Sequence, residues 1–269
     1  MQLDALTLPD AELVARVEIA TLRERGLIEP ALVALRFAGM SSAVLEAIAP
    51  CMMSASTLHL GVRLGSDGFE GDTVVRVVMG EVRGEGLPCC AQGWRSTGAA
   101  AGLETFEPRV AEHERSVPAL VLRDARGQLL LTTPGPIDGL LRELREGPEP
   151  TRLQAPLEGA AGLALRVEEK RLPRAWRDGA PTIAAMTRGL RELTLQVDAT
   201  ARVMVRAKLV YGSVEAASKA VGTLKALRAA MAVSERRELQ EAAKGAHAER
   251  RGAEIVVDVL VGEGESAVQ

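Results

Sequence analysis

Apolar and polar positions alternate over several short stretches of the chain, and the stretches between them carry turn and helix signals. From Leu13 to Ile19, Ala15, Val17 and Ile19 fall on one face and Arg16 and Glu18 on the other, which predicts a strand. Thr21 and Glu24 then have capping-box spacing for a helical segment that Gly26 and Pro30 interrupt. Pro30 suits the first position of a second helical piece running to Phe37, and Ser42 can cap a short helix ending before Pro50. Leu58, Leu60, Val62 and Leu64 alternate with His59, Gly61 and Arg63. The turn sequence GSDGFEGD follows, and a returning strand is expected from Thr73 to Val82. Arg83 to Pro118 is rich in Gly, Ala and Glu without a clean period, and is expected to be irregular. Ala119–Arg123 and Gln128–Thr132 predict a hairpin around Asp124–Gly127. Pro136 opens a helix with Ile137, Leu140, Leu141 and Leu144 on one face.

The prolines and glycine of Gly147–Pro156 interrupt both periods and mark a linker. Beyond it, Leu163, Leu165 and Val167 alternate. Helical pieces follow around Leu172–Arg177 and Pro181–Leu190, then a strand at Leu193, Leu195 and Val197. Val203, Val205, Ala207 and Leu209 form a longer strand with Arg202, Arg206 and Lys208 on its other side. Ser213 precedes a long helix, with Glu215 suiting its positive end. Val214, Ala217, Val221, Leu224, Leu227 and Met231 make its expected apolar stripe. The mixed-charge run from Ser234 to Arg251 is expected as a solvated helix face, and Ile255–Val261 as a last strand. The class predicted is α+β: two lobes, 1–150 and 151–269, with mainly antiparallel sheets each covered on one face by helices. Element order in the two halves is compatible with an internal duplication, or with one α+β domain built on a single mixed sheet.

Composition narrows the function classes. At 269 residues the chain can bury a core without metal or disulfide. With Lys+Arg 33 against Asp+Glu 36, no basic footprint marks a nucleic-acid partner. Aromatics at 2% argue against stacking platforms for bases or sugars. Arginine outnumbers lysine and asparagine is absent, a bias expected of a GC-rich genome. No apolar run approaches membrane-spanning length, and the opening MQLDALTLPD has no signal-peptide character.

Several segments carry a resemblance. Leu193-Thr-Leu-Gln-Val197, the basic alternating strand after it, Ser213-Val-Glu-Ala-Ala217 with its helix, and Val256-Val-Asp-Val-Leu260 follow one another in the second half. VARVEIATLRERGLIEPALVAL and QLLLTTPGPIDGLLREL stand in the first. This order resembles uncharacterised exported proteins and lipoproteins of GC-rich Gram-negative bacteria of the myxobacterial kind. The resemblance implies a periplasmic or cell-envelope location and a duplicated α+β architecture. It implies no activity.

The chemistry-bearing residues are few. Cys51 precedes the first strand of the Leu58–Val82 hairpin, and Cys89 and Cys90 follow the second. Antiparallel pairing would bring these segments together, so Cys51 is a candidate disulfide partner of Cys89 or Cys90 in an exported protein. Free thiols are the alternative. A zinc site with His59 or His113 lacks C-x-x-C spacing, and a nucleophilic thiol beside His59 is a further alternative. His59 alternates out of the apolar face of its strand, as a solvated or edge histidine does. Asp67, Glu70 and Asp72 do not match a calcium loop and are expected as a polar hairpin tip. Trp94 and Trp176 are expected as packing residues. No G-x-S-x-G, H-E-x-x-H, Walker loop or strand-linked G-x-G-x-x-G occurs. These observations assign no catalytic, cofactor-binding or metal residue. They point to a non-catalytic envelope binding or assembly module whose partner is a protein or an apolar small ligand. The alternatives are an enzyme built from scattered carboxylates or the three cysteines, and a cytosolic scaffold protein.

Overall fold

The structure, a computed structural model, describes residues 8, 10–28, 55–64, 73–79, 94–100, 103–108, 120–123, 128–132, 136–146, 153, 159–166, 172, 174–178, 181–199 and 203–261. The fold is α+β, with antiparallel sheets and helices, and the chain divides into two compact units, residues 1–154 and 155–269.

In the first unit the described elements are β1 (Leu13–Glu18), α1 (Ile19–Glu24), β2 (Ala55–Val62), β3 (Thr73–Met79), β4 (Trp94–Ala100), β5 (Leu103–Pro108), β6 (Leu120–Arg123), β7 (Leu129–Thr132) and α2 (Ile137–Glu146). The strands pair antiparallel in the order β1-β2-β3-β7-β6-β5-β4. The expected strand at Leu13 stops one residue early, because Ile19 opens α1 and is fully buried. The expected capping box does not form: Thr21 lies inside α1, and Glu18 occupies the cap position without a side-chain cap bond. Instead the Glu18 carboxylate pairs with Arg16 and accepts from Thr57 Oγ1 at 3.1 Å, which holds it on the strand. Leu140 of α2 packs with Leu8, Val74, Leu103 and Leu130. Leu129, Leu130 and Leu131 are all buried, so β7 is covered on both faces.

The stretch expected to be irregular holds the β4–β5 hairpin, which corrects that expectation. A register shift between Ser96 and Gly98 breaks the alternation of β4, and residues 95–99 are all exposed. An exposed, bulged strand of small and polar residues has no apolar period to detect.

In the second unit the described elements are β8 (Ala161–Arg166), α3 (Arg174–Arg177), α4 (Pro181–Thr187), β9 (Leu190–Asp198), β10 (Val203–Tyr211), α5 (Val214–Ala232), α6 (Arg237–Gly245), β11 (Ala246–Arg251) and β12 (Glu254–Val261). The strand order is β11-β12-β10-β9-β8, all antiparallel. The charged run is therefore not one helix face but a helix followed by a strand. Gly245 allows the switch: a Cβ there would lie 2.4 Å from the Leu260 carbonyl oxygen. Beyond it the small residues Ala246 and Ala248 alternate with exposed His247, Glu249 and Arg251, and Gly252 turns the chain at φ 62° into β12. Charged side chains suit β11, which lies at the end of this strand order.

The two units share a strand order. In each, three successive strands pair as neighbours, then the last strand joins, then the one before it: β1-β2-β3-β7-β6 and β8-β9-β10-β12-β11. Where the second unit inserts α5 and α6 after its third strand, the first inserts the β4–β5 hairpin.

Candidate functional site

The second unit presents two chemically different sides, and alternation along β10 creates both. Ala207, Leu209 and Tyr211 point toward the helices, where Leu209 and Tyr211 form a core with Leu190, Ile255, Ala217 and Ala220. The Tyr211 hydroxyl donates to the Met186 carbonyl oxygen at 2.8 Å, tying β10 to α4. Burial pushes the phenol up to about 12. Gly212 N–H donates to the Gly189 carbonyl at 2.8 Å and closes the same corner.

Ser213 caps α5 as expected, its Oγ accepting from the Ala216 N–H at 3.1 Å. Glu215 lies in the first turn, and local hydrogen bonds to the backbone and Ser213 hold its carboxyl below the usual range. The stripe of α5 differs from expectation. Its buried line runs through Ala217 and Ala220, flanked by Ala216, Val221 and Leu224, while Val214 and Leu227 are 48% and 38% exposed. Small side chains on that line let α5 lie against the sheet, with Val221 and Leu224 packed at its margin and Val214 and Leu227 further round the helix. Val203 and Val205 remain half-buried and lie outside that core.

The α5–α6 corner is held by polar bonds. Ser234 N–H donates to the Met231 carbonyl, Arg236 N–H to Ser234 Oγ and Gln240 Nε2 to the Ser234 carbonyl. Arg228 Nε reaches the Ala243 carbonyl at 2.8 Å and joins the two helices. This arrangement leaves Val233 82% exposed at the corner, and Leu239 of α6 and Ile183 of α4 are also exposed. Among the described residues, the helical side of the second unit thus carries five large apolar side chains that are at least one-third exposed.

The other side of the sheet is charged. Arg206 meets Asp258 at 2.7 Å, Lys208 meets Glu254 at 2.9 Å, Arg166 meets Glu192 at 2.8 Å and Arg251 meets Glu249 at 3.0 Å. Strand registers put all eight on one face, with His247 opposite Asp258. The hydrogen bond to Asp258 raises the Arg206 guanidinium further, and the Arg251 contact lowers Glu249. Each of these four cations is matched by a carboxylate across or along the strands. Exposed pairs of this kind are screened by water, add little to stability and chiefly keep the sheet face wet.

Cys51, Cys89 and Cys90 lie outside the described residues, as do His113, Asp67, Glu70 and Asp72. The hairpin that motivated the disulfide is present: β2 and β3 pair antiparallel from Val62↔Thr73 to Ala55↔Met79. His59 is not an edge histidine. It lies on β2 between Arg16 of β1 and Arg76 of β3 and is half-buried. Trp94 lies in β4 and Trp176 in α3. Among the described residues no group of three or more His, Cys, Asp or Glu side chains is placed to hold a metal ion, and no helix is long and apolar enough to cross a membrane. The exposed apolar residues of α5 and α6 escaped sequence reading, since a leucine at helical spacing looks the same whether it faces a sheet or water. The charged face was partly visible in the alternation of Arg206 and Lys208.

The chain thus has the architecture of a two-unit antiparallel α+β protein with helices packed on the sheet of its second unit. No family model matches the sequence, and no curated protein matches it. Among solved structures it is similar to TP0453, a spirochete protein. Crystal form I matches with a TM-score of 0.50 and 13% identity over 97% of this chain and 95% of that one. Crystal form III matches with a TM-score of 0.51 and 11% identity over 95% and 91%. At such identity the likeness is one of fold, spanning nearly the full length of both chains.

Proposed function

We propose that the chain is a non-catalytic binding or assembly module of the cell envelope, and that the helical layer of its second unit receives the partner, a protein or an apolar small ligand. The observation that carries this reading is the exposure of Ile183 on α4, Val214 and Leu227 on α5, Leu239 on α6 and Val233 at the α5–α6 corner, while ion pairs occupy the opposite sheet face. Large apolar side chains kept in water on one layer suit a surface that is covered by a partner. The resemblance to exported proteins supports the envelope location.

The test is the triple variant Leu227→Asp, Val233→Asp, Leu239→Asp. Val233 is largely exposed and Leu227 and Leu239 are partly so, so each change should cost no more than about 1–2 kcal/mol of folding stability and leave the fold intact. Complexes trapped by chemical cross-linking in source cells should disappear in the variant and persist with Arg206→Ala. Equal cross-linking by the triple variant and the native chain would contradict the proposal. An envelope location makes Cys51 a candidate disulfide partner of Cys89 or Cys90. Such a link would close a loop of roughly 40 residues and, if unstrained, would stabilise the fold by about 2–4 kcal/mol. Protein isolated from its native compartment without reductant should then show one alkylatable thiol. Three would favour the cytosolic scaffold reading instead.

A further inference from the structure

We draw no further inference here: the strongest candidate, the exposed apolar side chains Leu227, Val233 and Leu239 around the α5–α6 corner, belongs to the site already described, and nothing in the structure shows what covers it.

Discussion

Tyr211 is the one tyrosine of the chain, and its hydroxyl spans from β10 to the Met186 carbonyl of α4. Burial favours the neutral phenol and raises it from its ordinary value near 10 to about 12. Its contribution to stability is therefore fully present below pH ~10, where the phenol is protonated in folded and unfolded chains alike. Above that, the unfolded chain ionises first, and the contribution is lost as pH rises through the folded value. Tyr211→Phe should cost about 0.5–1.5 kcal/mol at neutral pH. The stability gap between native protein and variant should shrink as pH rises from 10 toward 12, in urea unfolding measured side by side. A tyrosinate absorbance titration of the native protein should have its midpoint well above that of an exposed phenol. A midpoint near the ordinary value, or a constant gap, would show that Tyr211 is not held as described. The sequence marked the alternation that turns Tyr211 inward. It could not mark the carbonyl that accepts its hydrogen bond, because Met186 lies on a different element and is brought there only by the fold.

Among the elements, α5 shows where a sequence pattern stops being informative. Ser213, Glu215 and the helix length were legible, because a cap and a run of strong helix formers act locally. The face was not, because apolar residues of α5 occupy more of its circumference than one contact line needs. The fold selects the alanine line. Two substitutions separate the expected and observed faces. Ala217→Leu puts a large side chain where α5 meets the sheet and should cost about 1–3 kcal/mol by overpacking. Leu227→Ala should cost less than about 1 kcal/mol, far below the 2–5 kcal/mol of a core leucine. Chemical denaturation of both variants checks the assignment, and the reverse order of costs would mean that α5 is rotated. The β4–β5 hairpin failed for a different reason. Its register shift and exposed small residues leave no period for a sequence to display. In β11, the charges that protect an end strand mimicked a solvated helix.

For the whole molecule, the α+β class and the antiparallel pairing were legible, since alternating strands separated by short polar turns encode both. The β2–β3 and β6–β7 hairpins follow that rule. The shared strand order of the two units was visible only as a rough repetition of elements, because β4–β5 and α5–α6 occupy the same place in the order with different secondary structure. Similarity to TP0453 over most of both chains at 11–13% identity is a likeness of fold without likeness of residues. The proposed partner surface consists of residues that the fold leaves over. Its most direct test places a photo-activatable cross-linking side chain at Val233, at the exposed corner, and in a second protein at Lys208, on the ion-paired face. In source cells the account predicts a discrete adduct from position 233, its mass showing whether the partner is a protein or a small apolar molecule, and none from position 208. No adduct from position 233, or the same adduct from both positions, would contradict it.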